Sequence, residues 1–174
     1  MSEQLSHTET SFPQINFPII LLMDNITGEA NIGSLFRLAD AFGIEKIVFC
    51  GTKPNLSSNR LKRTARNTHN TVEHEFYEDS VETVKSLLAQ NYKSFALEIT
   101  SGSSPIDEVK ISADEKILLV AGNERHGVSN EVLELCKATH HIPMYGKNSS
   151  MNVAQSVGIA LYEITNSINK FRKK

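Results

Sequence analysis

The sequence predicts a single α/β domain, a mainly parallel sheet flanked by helices. Short β-branched apolar runs alternate with amphipathic stretches along most of the chain, the order expected of strands covered by helices. Several of the runs are apolar throughout rather than alternating, which marks strands buried on both faces. The 174 residues, 40% apolar and 22% charged, suffice for one ordinary domain with a core of its own. The organisation is read as an N-terminal segment at 1–17, a domain at 18–170 and a basic tail at 171–174, with no repeat or linker dividing the domain.

Strands are predicted at residues 18–23, 46–50, 93–99, 116–121 and 140–144, with a weaker one near 71–76. Between the first two, Ile32, Leu35, Phe36, Ala39 and Phe42 recur at helical spacing and Gly43 stands where a C-terminal cap belongs. Asp79 and Glu82 have the spacing of a capping box ahead of Val84, Leu87 and Leu88, which share one helical face. Ser129 is placed to cap a shorter helix through Leu135. A last helix is expected over about 152–168, with Val157, Leu161, Ile164 and Ile168 as a stripe that must bury against something. Residues 101–105, rich in Ser and Gly, read as a surface loop.

Composition excludes several classes. The longest apolar stretch, 17–23, is far short of the roughly 20 residues that span a bilayer. The first sixteen residues lack a basic-then-apolar signal pattern, so a cytoplasmic location is expected. Cys50 and Cys136 have no CxxC spacing and read as small buried residues. The six histidines, the His140–His141 pair included, have no ligand spacing, and no metal is expected. Net charge is −2, but eight of the eighteen basic residues fall in two patches: Arg60, Lys62, Arg63 and Arg66, and Lys170, Arg172, Lys173 and Lys174. Such patches can neutralise phosphates, although on charge alone a solvated helix face and a frayed tail is the plainer reading.

There is no GxGxxG after the first strand, no GxxxxGK[ST], no HExxH and no GxSxG. Three other segments interrupt the apolar pattern at the C-terminal ends of strands, where open α/β sheets hold their ligands. The first runs from Asn31 to Arg37; Asn31 could be a helix N-cap and Arg37 a solvated helix residue. The second takes a buried strand into Gly122-Asn123-Glu124 and on to Gly127, a tight turn carrying a carboxylate. The third is Ile142-Pro143-Met144, a glycine-containing loop, then Ser150-Met151-Asn152 at the start of the last helix, whose free amides can hold an oxygen. Capping by Ser150 would explain its place but not the Ile-Pro-Met or Gly146 before it.

In this order and at these spacings the segments resemble the three motifs of the SpoU-type, TrmH-like RNA ribose 2'-O-methyltransferases of the SPOUT superfamily, over about residues 18–163. The resemblance implies an S-adenosylmethionine-dependent enzyme that methylates a ribose 2'-hydroxyl of RNA, tRNA in preference to rRNA. It also implies a deep C-terminal trefoil knot, which no pattern reading would propose because chains almost never knot. A homodimer is implied as well, with Val157, Leu161, Ile164 and Ile168 as its partner surface. Leu97, Gly122, Ile142, Ser150, Met151 and Asn152 would surround the cofactor. Arg37 would act as proton acceptor, a role demanding a large shift from an ordinary guanidinium, or as the group that binds a phosphate and orients the ribose. Asn31, Glu124, Ser150 and Asn152 would position Arg37, ribose and cofactor.

Departures from the family pattern are small: Ser34 and Met151 stand where Ala and Leu are common, and Glu29-Ala30 where proline is frequent before Asn31. With only about seventeen residues ahead of the first strand, the small N-terminal RNA-binding domain of many relatives is not expected. The RNA would then be gripped by Arg60, Lys62, Arg63, Arg66 and the basic C-terminus. Two other classes compete: a non-catalytic RNA-binding or ribosome-assembly protein that keeps the fold, and a small-molecule α/β enzyme for which the basic patches are incidental.

Overall fold

The computed structural model describes Leu5, Thr10 and residues 12–172. Lys173 and Lys174 of the predicted tail, and residues 1–4, 6–9 and 11 of the predicted N-terminal segment, lie outside the described residues. Seven strands, β1 (Phe17–Asp24), β2 (Ile44–Cys50), β3 (His74–Tyr77), β4 (Tyr92–Leu97), β5 (Ser104–Pro105), β6 (Lys116–Ala121) and β7 (Ala138–His141), form one sheet in the order β3-β2-β1-β6-β4-β7-β5. Every pairing is parallel, so each connection must cross a face of the sheet. The crossing helices are α1 (Glu29–Phe42), α2 (Asn59–Ala65), α3 (Ser80–Ala89), α4 (Asn130–Leu135) and α5 (Val153–Arg172).

Strand β1 shows why the apolar runs are continuous. Its side chains alternate across the sheet: Phe17, Ile19, Leu21 and Met23 join a core with α1 and α5, while Ile20 and Leu22 join another with α3 and α4. Both sides are covered, so both sets are apolar. On the first side lie Ile32, Leu35, Phe36 and Ala39 of α1; on the second, Val84 and Leu87 of α3 with Val132 of α4. Helix α1 stops at Gly43, whose left-handed backbone (φ 57°) lets its N–H bond the Ala39 and Asp40 carbonyls, as the sequence predicts.

Several expectations need correction. The weak strand near 71–76 is displaced to 74–77, because a 3₁₀ turn at Thr68–Asn70 uses the amides of Thr71 and Val72. The strand at 140–144 is 138–141 instead: β7 pairs with β4 through Leu97 and with β5 through Pro105, and no strand partners Ile142 onward. Residues 101–105 are not wholly loop, since Ser104 and Pro105 form β5. Asp79 caps α3 through the Glu82 amide at 3.0 Å, but the Glu82 carboxylate turns to Lys85 at 2.8 Å, leaving half a capping box. Ser129 occupies the α4 cap position without capping it; its hydroxyl donates to the buried Asp24 carboxylate at 2.6 Å.

The stripe Val157, Leu161, Ile164 and Ile168 is also corrected. All four are 0% exposed, packed into the chain's own core beside α1 rather than left for a second copy. The large apolar side chains that α5 leaves in solvent are Ile159, Tyr162 and, near its end, Phe171, 38%, 56% and 49% exposed. None of the described helices is long and apolar enough to cross a membrane.

Candidate functional site

Parallel strands bring their C-terminal ends to one edge, and the loops after β1, β6, β4 and β7 meet there. Glu124, in the loop after β6, sends its carboxylate to the loop after β1. One oxygen accepts from the Gly28 amide at 2.8 Å and the Asn31 amide nitrogen at 2.9 Å. The other accepts from the Thr27 amide and hydroxyl, each at 3.4 Å. Gly28 stands at the α1 cap position, where a Cβ would lie 2.3 Å from the Glu124 oxygen and push that carboxylate off its amides. Asn31 is consequently inside the first turn of α1, not its N-cap.

From Asn31 the chain of bonds continues. Its carbonyl accepts from the Asn152 side-chain nitrogen at 2.8 Å, and the Asn152 carbonyl accepts from the amides of Ala154 and Gln155 at 2.9 and 3.3 Å. Both amide orientations are thereby dictated. A carboxylate only accepts and helix N-terminal amides only donate, so the two Asn side chains between them can point one way alone. Asn152, rather than Ser150, caps α5. The Glu124 carboxyl is pulled two ways: burial raises its pKa, while hydrogen bonds from Asn31 and from backbone amides lower it, and the balance falls below the ordinary value. It is an anion at neutral pH.

Below this tie lies a cleft of about 390 Å³, within the usual range of small-ligand sites. Of the residues singled out in the sequence, Asn31, Leu97, Gly122, Glu124, Ile142, Ser150, Met151 and Asn152 all line it. Gly122 is required by packing, since a Cβ would meet the Gly127 backbone at 2.0 Å. Sequence reasoning missed other walls. Glu98, at the end of β4, accepts from the Val128 amide at 3.0 Å and holds the 122–128 turn against its strand. Asn123 ties that turn to the β1 loop through the Asn25 carbonyl at 2.7 Å. His141 lines the cleft while its Nδ1 meets the Ser103 hydroxyl at 2.9 Å. No motif marks Glu98, and His141 was legible only as one of a histidine pair without ligand spacing.

Arg37 is not among the cleft's lining residues and is exposed. Six residues beyond Asn31 it sits about 9 Å further along α1. Its place becomes informative through α2, which seats on Gly33: a Cβ there would meet Thr64 Oγ1 at 2.0 Å and the Leu61 carbonyl at 2.5 Å. Arg37 lies one turn after Gly33 on the same face. The helix with Arg60, Lys62, Arg63 and the capping Arg66, all exposed, therefore packs on the α1 face that carries Arg37 one turn later. A broader concavity between β3 and α3 is lined by Glu78, Asp79 and Glu82 and by the Lys46–Glu75 ion pair, a net negative set that would repel a phosphate.

The model of the SpoU rRNA Methylase family matches residues 18–162. Among curated relatives, the 23S rRNA (guanosine(2553)-2'-O)-methyltransferase RlmP of Bacillus subtilis is 28% identical over 150 residues, 83% of this chain and 57% of that protein. The chain spans 57% to 64% of the length of the first curated relatives it matches. Among solved structures, the A. aeolicus TrmH/SpoU tRNA modifying enzyme superposes with a TM-score of 0.81 at 26% identity, covering 90% of this chain and 78% of that one. A protein studied for 2-OH methylation of C/U34 on tRNA has a TM-score of 0.76 at 27% identity, covering 88% of this chain and 99% of that one.

Proposed function

The chain belongs to the SpoU rRNA methylase family, and from that premise we propose that it transfers a methyl group from S-adenosylmethionine to a ribose 2'-hydroxyl of RNA. The observation that carries this reading is the hydrogen-bonded line Glu124–Asn31–Asn152, which joins all three motif segments at the mouth of one cleft. A protein that only bound RNA would have no use for three distant segments locked around a small-molecule cavity.

The cleft fits the cofactor in size and chemistry. Leu97, Ile142 and Met151 give it apolar walls, and Glu98, Glu124, Ser150 and Asn152 give it polar groups. When bound, S-adenosylmethionine supplies a methyl group activated by a sulfonium sulfur. The chain's own work is alignment, which by itself can provide much of a rate enhancement. Asn31, Glu124 and Asn152 fix the mouth of the cleft, which Ser150 also lines. Arg37, exposed on the α1 face against which the basic α2 packs, is suited to bind the phosphate beside the target nucleotide and turn the ribose hydroxyl toward the cleft. Of its two roles, its exposure favours this one over proton acceptor.

We further read the substrate as tRNA rather than rRNA, supported by the match to nearly the full length of a protein named for tRNA methylation. The protein is read as a two-fold homodimer through the outer face of α5, and the segment that crosses from β7 to α5 as the threaded part of a trefoil knot. Support for the crossing is that it passes the ends of β4 and β6 to reach Asn31 beyond β1. The test is transfer of labelled methyl from S-adenosylmethionine to total RNA, then to separated tRNA and rRNA. Cofactor binding without label in any RNA would sink the reading, and full activity in Arg37→Ala would remove the role given to Arg37.

A further inference from the structure

Tyr145 is 96% exposed, touching almost nothing of its own chain. A single exposed apolar side chain ordinarily needs no explanation. This one differs in its place. It stands in the loop between β7 and α5, whose two stems line the cleft through Met144 and Ser150. Tyr145 itself is not part of the lining, so it faces outward from the rim rather than into the cavity. Beside it Gly146 is surrounded by open space, with nothing within 4 Å of where a Cβ would be, and Lys147 is exposed. At the same cleft the neighbouring loop after β4 raises Ile99, 56% exposed, and the turn after β6 raises Arg125.

An aromatic ring at the lip of a reactant cleft, with a lysine two residues on and an arginine on the cleft wall, has the chemistry of a surface for unpaired nucleotides. Every base has a π-face to stack on a ring, and cations beside the ring meet the phosphates. The flanking Asn148, Ser149 and Ser150 are exposed and polar, which disfavours an apolar protein partner. We propose that Tyr145 is a stacking platform for an unpaired nucleobase at or next to the methylated nucleotide, with Lys147 holding its phosphate. This rests on the RNA methyltransferase reading above. Tyr145 is a positioning residue here, since its ring holds the base while the ribose reaches the cleft.

The chain contains no tryptophan, so Tyr145→Trp places a single tryptophan reporter at the platform. Titration with a single-stranded RNA dodecamer should quench it, whereas inorganic polyphosphate of equal charge should not. Quenching by both alike, or by neither, overturns the proposal. In steady-state assays Tyr145→Ala should raise KM for RNA by about tenfold or more, the scale of one lost base stack, while S-adenosylmethionine binding measured by calorimetry stays as in the parent. Tyr145→Phe should restore KM, because stacking needs the ring and not the hydroxyl. If Tyr145→Ala instead turns a dimer into a monomer in sedimentation, the occupant is a second copy and the proposal fails. Selective quenching by RNA in a protein that transfers no methyl group would leave the platform standing while the methyltransferase reading falls.

Discussion

At the scale of single residues, Glu124 has the largest share in organising the site, because one carboxylate bonds the Thr27 and Gly28 amides and orients Asn31. Glu124→Gln keeps the shape but replaces an acceptor with a donor, which then opposes the Gly28 amide or the Asn31 side-chain nitrogen. Hydrogen bonds to a charged group contribute about 1.5–3 kcal/mol where shielded and less at an exposed site such as this. The expected result is a loss of about tenfold in methyl transfer, with the fold kept by circular dichroism. Since the folded carboxyl titrates below its ordinary 4.5, the tie is complete above that pH and is lost only as pH falls through the depressed folded value. An acid limb in cofactor binding should therefore lie below pH 4.5 in the parent and be absent from Glu124→Gln. The identities of Asn31, Glu124 and Asn152 were legible in the sequence, but their contacts were not. They bridge sequence separations of 93 and 121 residues, which local patterns do not encode. Glu98 was not legible at all, as a lone carboxylate after a strand resembles any solvated one.

At the scale of elements, α5 divides into two faces that make opposite predictions. Leu161 is 0% exposed in the core shared with α1 and β1. Leu161→Ala should cost about 2–5 kcal/mol, as for other buried Leu-to-Ala changes, read from the midpoint of denaturant unfolding. Ile159 and Tyr162 lie on the outer face and are half or more than a third exposed, so Ile159→Glu with Tyr162→Glu should leave monomer stability within about 0.5 kcal/mol. The same pair should abolish the proposed dimer in sedimentation equilibrium; an unaltered dimer would place the two-fold interface elsewhere, and a monomeric parent would remove the dimer reading. Periodicity identified the buried stripe but could not say what covers it. A helix face is equally apolar whether it meets its own sheet or a partner. Long apolar runs were likewise readable as strands because two covered faces leave no polar phase, whereas β5, two residues long and ended by a proline, offers no period to detect.

At the scale of the whole molecule, the near-neutral net charge conceals a division of surfaces. Arg60, Lys62, Arg63 and Arg66 are exposed on and just after α2, beside the α1 face that carries Arg37, while Glu75, Glu78, Asp79 and Glu82 surround the concavity between β3 and α3. The sequence showed the basic cluster but not that Gly33 seats it against the helix of the first motif, because helix packing depends on which face each element turns to the other. On the RNA reading proposed above, that seating lays a basic track on the α1 side of the molecule, with the acidic edge repelling the phosphate backbone from the other. Replacing Arg60, Lys62, Arg63 and Arg66 together by Gln should therefore weaken RNA binding while leaving S-adenosylmethionine affinity unchanged. Each lost phosphate contact releases fewer counterions, so the slope of log K against log salt should become shallower by about 0.7 to 0.9 per contact. A fall in affinity with an unchanged slope would mean that the substitutions disturb α1 through Gly33 rather than remove phosphate contacts. An unchanged affinity would take the RNA path off this face of the molecule altogether.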